Sequence, residues 1–343
     1  MRISTSMMFK NYTGILEDKM GDVQKYSDQV ASGMKFARAS DDPVSAMQTL
    51  ESCHEYVRNE QYQESATSTG SWLQATETTL GELTDTLKTV QEKLTEASNG
   101  TNSGSDGSNN ATELSQLQQQ LMTTLNSTYS GRYIFGQGTD QSAPFTLISG
   151  QLAYFDYTGK NGAGYQLVSD LVNPATATSG QSTISGATLS NAIDLGLGLK
   201  ISASGQMLPG TYFEAATSGL NAMVAGYTAS GQAFNVVDAL TTTISKLQSG
   251  DNSAAASCLS TVSKAEDAVS NVTVSIGEKS NMLTFVSNTL TANKTNIVTR
   301  LSDAMDVDSA TASMNYTMSM TVYKASLSVT SSALQESLID FLK

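Results

Sequence analysis

The sequence has little of what most catalytic and metal-binding sites require. Its 343 residues include one histidine, one tryptophan and two cysteines, and only 15% of them are charged, well below the roughly 25% of ordinary globular domains. One histidine cannot build a histidine-rich metal site, and two distant cysteines cannot build a structural zinc site or a disulfide scaffold. Cys53 and Cys258 could be free or bonded to each other as far as the sequence goes.

Positive charge is also scarce. The chain has 19 basic against 32 acidic residues, a net charge of −13, and no basic cluster, so neither nucleic acid nor an anionic membrane is an expected partner. No apolar run approaches the ~18 to 20 residues that cross a bilayer. The N-terminus lacks the apolar core of a cleaved signal peptide. These features predict a protein that stays in the cytoplasm or leaves it without a cleaved signal.

No group of residues in the sequence predicts catalysis. His54 follows Cys53 directly, and neighbours on a helix point about 100° apart, so the two cannot form a nucleophile–base pair. Asp303, Asp306 and Asp308 lack the glycine and glutamate spacing of a calcium loop and read as a polar break between helices. We therefore predict no catalytic residue, no metal, no cofactor and no enzymatic activity.

What the sequence does contain is helical periodicity at both ends, while serine and threonine supply about a quarter of the chain. Residues 145–233 lack that periodicity, hold half of the glycines and read as short strands and turns. The predicted fold is mainly α with a β-rich insertion: a long antiparallel helical bundle or coiled-coil rod built from both termini, with a small β domain in the middle. The predicted domains are 1–42, 43–144, 145–233, 234–290 and 291–343.

Apolar residues at a seven-residue period predict the seam of that rod. Leucines recur every seven residues from Leu73 to Leu94, and the C-terminal arm repeats the spacing. The intervening positions, at the same period, are Thr76, Leu83, Val90 and Ala97. The predicted rod seam consists of Leu73, Leu80, Leu83, Leu87, Val90, Leu94, Leu283, Val286, Leu290 and Ile297. Asn293 occupies a further seam position, and the polar stretch 98–112 is predicted to be a loop before a second helix.

Both terminal segments carry an apolar stripe of their own, which is unusual because chain ends are commonly polar and frayed. An intramolecular bundle could bury these stripes, but contact with other subunits is the favoured interpretation. The predicted self-assembly residues are Tyr12, Leu16, Met20, Val23, Val30, Tyr316, Met320, Tyr323, Leu327, Leu334, Leu338 and Phe341.

Two motifs resemble those of the bacterial flagellin-type axial proteins. The stretch 31–46 has a Ser-Gly followed by Asp41-Asp42-Pro43, in which Asp42 is placed to cap a helix that begins at Pro43. The stretch 130–145 contains Gly131-Arg132-Tyr133-Ile134-Phe135 and a later Pro-Phe, similar to the hairpin of the hook–filament junction members of that family. The first residues and the C-terminal arm are also similar, so the resemblance covers about 1–145 and 234–343.

The resemblance implies a structural subunit that joins the flagellar hook to the filament. It implies export through the flagellar type III apparatus without a cleaved signal, an extracellular location, and terminal helices that are unpaired until assembly. The implied partners are a ring of identical subunits, a neighbouring hook-associated protein, flagellin, and an export chaperone on the C-terminal helix. Flagellin itself is the alternative. A coiled-coil tip protein of another type III system and an enzyme built on the middle segment are less favoured.

Overall fold

The computed structural model describes residues 5–99, 104–136, 142–156, 164–170, 192–196, 212–229 and 231–341. The chain divides into two compact units. The terminal unit consists of residues 1–61 and 290–343, and the central unit consists of residues 62–289.

Four helical segments build the terminal unit. They are α1 (Thr5–Ser32), the first part of α2 (Pro43–Ser98), the last part of α6 (Ser253–Met305) and α7 (Ser309–Phe341). Helix α1 packs along α7 of the same chain. Gly33, with φ of +73°, ends α1, and its carbonyl accepts the Val307 N–H at 2.9 Å. The Lys35 N–H donates to the Met305 carbonyl at 2.7 Å, so the chain after α1 is fixed to the break before α7.

The central unit contains the remaining parts of α2 and α6, together with α3 (Gly104–Leu125) and α5 (Val236–Gln248). Helix α3 packs on α5. The predicted loop 98–112 is wrong in length, because helix α3 already begins at Gly104. Gly107 is buried, and a Cβ there would lie 3.5 Å from the Leu247 carbonyl oxygen. Packing of the helix against the end of α5 therefore overrides the weak helix propensity of the Gly-, Ser- and Asn-rich sequence.

The described strands are short and form four antiparallel sheets. Strands β1 (Thr128–Tyr129) and β2 (Arg132–Tyr133) form one hairpin, and β3 (Phe145–Ile148), β4 (Gln151–Asp156) and β5 (Gly164–Leu167) form a three-stranded sheet in that order. Strand β6 (Ala192–Ile193) pairs with β7 (Phe213–Glu214). After the short helix α4 (Gly219–Met223), β8 (Val224–Tyr227) pairs with β9 (Ala233–Asn235). This confirms the predicted fold class, with long helices from both termini and small sheets between them.

Two polar side chains attach the three-stranded sheet to the helices of the central unit. Asn126, just after α3, pairs with both backbone groups of Phe145: its Oδ1 accepts the N–H and its Nδ2 donates to the carbonyl, each at 3.0 Å. Asp238 in α5 accepts the Leu152 N–H at 2.6 Å and the Asn235 side-chain amide at 2.8 Å. The pKa of the Asp238 carboxyl is raised, because the effect of burial outweighs that of these two hydrogen bonds, which lower it. Both side chains thus satisfy backbone or polar groups that have no strand partner at those positions.

Candidate assembly surface

The terminal helices pair within one chain, which differs from the expectation that they stay unpaired until assembly. Of the predicted self-assembly residues, a half-buried set lies on these helices: Tyr12, Leu16, Val23, Tyr316, Met320 and Tyr323. Met20, Val30 and Leu327 are exposed. Leu334, Leu338 and Phe341 lie outside the residues whose side chains the structure describes. Contact between α1 and α7 therefore does not by itself require a second subunit, and the role of these residues in assembly stays a prediction.

Helix α7 has a second apolar side that its own chain leaves exposed. This α7 outward face consists of Met314, Met318, Val322 and Val329, which are 42% to 64% exposed. The residues follow a spacing of four and seven, which places them on one side of a helix. Tyr316, Met320 and Tyr323 lie on the other side. From residue 309 to residue 335, Lys324 is the only charged residue in the sequence. Helix α7 thus carries apolar residues on two sides, with serine and threonine between them.

The start of α2 presents a similar exposed apolar side. This α2 outward face consists of Val44, Met47, Leu50 and Val57, which are 54% to 66% exposed. A shallow groove runs along it and is lined by residues from Met47 to Gln61, with Glu51 and His54 among them. Monomeric proteins rarely leave contiguous apolar surface in water, and a long stripe of this kind marks an interaction site. The sequence pattern did not predict this stripe. It starts directly after the Asp-Pro motif, which was interpreted only as a helix-capping signal.

The side of α2 that its own chain buries is, in contrast, small and polar in the terminal unit. Ser52 and Asn59 are buried there, and the Asn59 Oδ1 has no hydrogen-bond partner. Two ion pairs join the same stretch of α2 to α6, Glu55 with Arg300 and Glu60 with Lys294. The Lys294 ammonium lies 5.1 Å from the centre of the Tyr56 ring, and its hydrogen bond to Glu60 raises the pKa of Lys294 and lowers that of Glu60. Two ion pairs and a cation–π contact therefore join α2 to α6 in a part of the rod where few large apolar side chains are buried.

All ten residues of the predicted rod seam are buried. The six residues from Leu73 to Leu94 are at most 1% exposed, and the four on α6, from Leu283 to Ile297, at most 6%. Asn293, which the heptad spacing placed on the seam, is exposed instead. The buried period continues toward the start of α2 through Ala66, Asn59 and Ser52, and this half was missed because its residues are small or polar. A search that allowed such residues at heptad positions would have found it.

The two motifs that carry the family resemblance have structural roles. Helix α2 begins at Pro43, and Asp42 caps it by accepting the Ser45 N–H at 3.1 Å and the Ser45 hydroxyl at 2.6 Å, as predicted. These hydrogen bonds lower the pKa of the Asp42 carboxyl. Asp41 accepts the Arg38 N–H at 3.1 Å, which closes the turn that precedes the helix.

The second motif forms the β1–β2 hairpin of the central unit. Ser130 and Gly131 both have positive φ, 52° and 80°, as a tight type I′ turn requires. Arg132 is exposed and Tyr133 is half-buried, while Ile134 and Phe135 are 2% and 0% exposed. The Phe135 carbonyl accepts the Gly219 N–H at 3.3 Å, and a Cβ at Gly219 would lie 2.7 Å from the Phe135 Cβ. This motif therefore anchors the hairpin in the core of the central unit.

The described residues offer little for chemistry. Among them, no group of three or more histidine, cysteine, aspartate or glutamate side chains is arranged to hold a metal ion. Both cysteines are free, Cys53 exposed and Cys258 buried, and burial raises the pKa of the Cys258 thiol. No helix in the described part of the chain is both long and apolar enough to span a membrane. The extended apolar faces of α2 and α7 are thus the candidate functional surface.

A helical unit built from both chain termini, with small sheets between the arms, is the architecture of the flagellin-type axial proteins, and the sequence comparisons agree. The bacterial flagellin N-terminal helical region matches residues 3–139, and the bacterial flagellin C-terminal helical region matches residues 259–342. Together the two regions cover well over half of the chain, which therefore belongs to the bacterial flagellin-like family.

Among curated proteins, the chain is similar to flagellar hook-associated protein 3 of Salmonella typhimurium, with 34% identity over 151 residues, and to that of Escherichia coli, with 32% identity over 152 residues. Each match covers 44% of this chain and 48% of the relative, so the chain spans about half the length of the curated relatives it matches. A structure described as a flagellar hook-associated protein of Vibrio parahaemolyticus has the same fold. It has a TM-score of 0.56 at 17% identity and covers 78% of this chain and 100% of that one.

Proposed function

We propose that the chain is a structural, non-enzymatic subunit of the bacterial flagellum that joins the hook to the filament. The observation that carries the proposal is the terminal unit, in which α1 and α7 pair and still leave apolar faces exposed. A subunit that works alone in water has no use for such faces, whereas an axial subunit buries them against neighbours. The similarity to curated hook-associated proteins 3 supports the position at the junction.

The mechanism in this proposal is assembly by burial of apolar surface. Each square ångström of apolar surface removed from water contributes roughly 25 cal/mol, so long helical faces supply free energy without any chemical step. The predicted self-assembly residues on α1 and α7, Tyr12 to Val30 and Tyr316 to Phe341, would line this surface. Residues 145–233 would form an outward domain, with residues 43–144 and 234–290 as the supporting rod.

The partners and the location follow from the same proposal. Copies of the chain form a ring, with a hook-associated protein on one side and flagellin on the other. The subunit reaches this place through the flagellar type III apparatus, without a cleaved signal peptide, and an export chaperone covers its C-terminal helix beforehand. The apolar outward face of α7 supports the need for such a chaperone, because the free subunit exposes it.

Flagellin, the main filament subunit, is the second candidate. The observation in its favour is that both flagellin helical regions match this chain, one at each end. The Gly-Arg-Tyr-Ile-Phe hairpin is the observation that favours the junction protein instead, since it carries the resemblance to junction members of the family.

Location of the protein in the cell tests the proposal. Flagella are sheared from cells, and an antibody against the protein is used on gels and in immunogold electron microscopy. We expect a minor band and gold label confined to the hook end of the filament. The dominant filament band would identify flagellin, and absence from purified flagella would contradict both assignments.

A further inference from the structure

The two chain breaks of the terminal unit meet in one place. Met34, just after α1, and Asp306, just before α7, form an antiparallel bridge. Two backbone hydrogen bonds, of 2.9 and 2.7 Å, flank this pair, one on each side. Residues 33–35 and 305–307 thus form a short joint, in which the end of α1 is bonded to the segment that begins α7.

Further hydrogen bonds hold the joint in one conformation. The Lys35 ammonium donates to the Asp303 carbonyl of α6. The Gln29 side-chain amide, in the last turn of α1, donates to the Lys35 carbonyl at 2.6 Å. Asp308 caps α7 by accepting the Thr311 hydroxyl at 2.7 Å. Helices α1 and α7 therefore both leave the joint from a fixed point.

The apolar contact between α1 and α7 does not by itself specify one alignment of the two helices. Half-buried apolar residues repeat at a distance of seven, with Leu16 and Val23 on α1 and Tyr316 and Tyr323 on α7. A slip of seven residues therefore puts one apolar residue in the place of another on either helix. Such a seam tolerates more than one register.

Charged side chains do not fix the alignment either. In helix pairs with a defined register, a buried polar residue or flanking ion pairs commonly set it. In the described part of this chain, no ion pair joins α1 to α7. Lys19 of α1 is bonded to Asp22 of its own helix at 3.0 Å, and Lys324 is the only charged residue from 309 to 335. The register must come from another part of the unit.

We propose that the joint sets the register of α1 against α7. Because Met34 pairs with Asp306, the first turns of the two helices lie opposite each other, and pairing continues from there toward the chain ends. A slip of seven residues would move α7 along α1 by about 10 Å, and would carry Met314 and Met318 of its outward face with it. Symmetric assembly needs the same surface on every copy, so a single register serves the proposed function without resting on it.

Distances between spin labels on the free, full-length subunit test this proposal. A ketone-bearing amino acid at Ser27 and Ser328, which are exposed positions of α1 and α7, carries the labels in a Cys53→Ser background. The two labels lie at different heights along the helix pair, so a slip of about 10 Å changes their separation. Pulsed electron paramagnetic resonance measures that separation, and we expect one narrow distance in this parent protein.

Proline substitutions open the joint without touching the seam. Lys35→Pro and Val307→Pro together remove both N–H donors that flank the bridge. We expect the single distance to be replaced by more than one population, with a shift of up to about 10 Å. Ala37→Pro, at an exposed position of the same loop, is the control and should keep the parent distance. The parent distance retained in the double proline variant would overturn the proposal, because the seam would then set the register alone.

A covalent lock at the bridge should reverse the effect of the prolines. Met34 and Asp306 are a pair without hydrogen bonds to each other, so their Cα atoms lie about 4.5 Å apart, within the range of a disulfide. We expect Met34→Cys with Asp306→Cys to form a disulfide under mild oxidation and to restore the single distance in the double proline variant. The same sample after reduction is the matched control and should lose it again. Failure of the disulfide to form, or to restore the distance, would overturn the proposal.

These measurements use the free subunit, so they fail or succeed independently of the location experiment. Absence of the protein from flagella would contradict the proposed function and leave a register set by the joint intact. Conversely, a protein at the hook end of the filament whose proline variant keeps one distance would retain its proposed function and refute this inference.

Discussion

At the scale of single residues, polar side chains form the backbone hydrogen bonds that an additional strand would otherwise form. The amide of Asn126 satisfies both the N–H and the carbonyl of Phe145 on the outer edge of β3. Gln118 extends the same connection by donating to the Thr241 hydroxyl at 2.7 Å, and Thr241 donates to the Gly150 carbonyl at 2.8 Å. The sheet is therefore held to α3 and α5 by a few directed hydrogen bonds, whose loss leaves buried backbone groups unpaired.

Asn126→Ala removes two of these hydrogen bonds at once. We expect it to lower the free energy of unfolding by about 1–3 kcal/mol, because a buried backbone group left without a partner carries its full desolvation cost. Chemical denaturation followed by circular dichroism measures the change. Gln120→Ala, at an exposed position of the same helix, is the control and should change stability little. An unchanged midpoint for Asn126→Ala would show that this side chain does not hold the sheet.

At the scale of elements, α2 is one continuous helix with two kinds of seam. From Leu73 onward its buried heptad positions are leucines, and before that they are Ala66, Asn59 and Ser52. Asn59 leaves its Oδ1 unpaired, and the ion pairs Glu55–Arg300 and Glu60–Lys294 border this part. Since apolar burial dominates helix pairing, the first part of α2 is the weaker half of the rod.

This division predicts opposite effects for substitutions in the two halves. Leu80→Ala, in the leucine seam, should destabilise the protein by about 2–5 kcal/mol. Asn59→Leu should leave stability unchanged or raise it by about 1 kcal/mol, because it removes a buried polar group that has no partner. Thermal unfolding reports the two changes. Hydrogen exchange should also show residues 43–61 opening more readily than residues 73–97 in the unmodified protein, and equal protection of the two stretches would contradict the division.

Sequence patterns predicted those elements whose residue types agree with their surroundings. The leucine seam and the Asp42 cap were both visible, since burial and capping favour the residues found there. The polar half of the seam and the first two turns of α3 were not, because Ser52, Asn59 and Gly107 are held in place by packing that local propensity opposes. The outward face of α2 was missed for a related reason: single apolar residues on a surface are common, and only the structure shows that all four are exposed.

At the scale of the whole molecule, α1 pairs with α7 in one chain, so part of the surface of each helix is already covered before a second copy binds. Among the predicted self-assembly residues whose side chains the structure describes, six are half-buried and three are exposed. The outward faces of α2 and α7 remain exposed to a second copy, as do Met20 and Val30 on α1. The function proposed for this chain is therefore carried by surfaces that only an assembly can bury.

Oxidation of methionine tests that claim most directly, because Met47, Met314 and Met318 lie on the two outward faces and are 63% to 66% exposed in the single chain. Free subunits and purified flagella are exposed to the same dose of hydrogen peroxide, and sulfoxide formation at each methionine is measured by mass spectrometry. The account predicts rapid oxidation of all three residues in the free subunit and strong protection in the flagellum. Equal oxidation of the three in both states would contradict it.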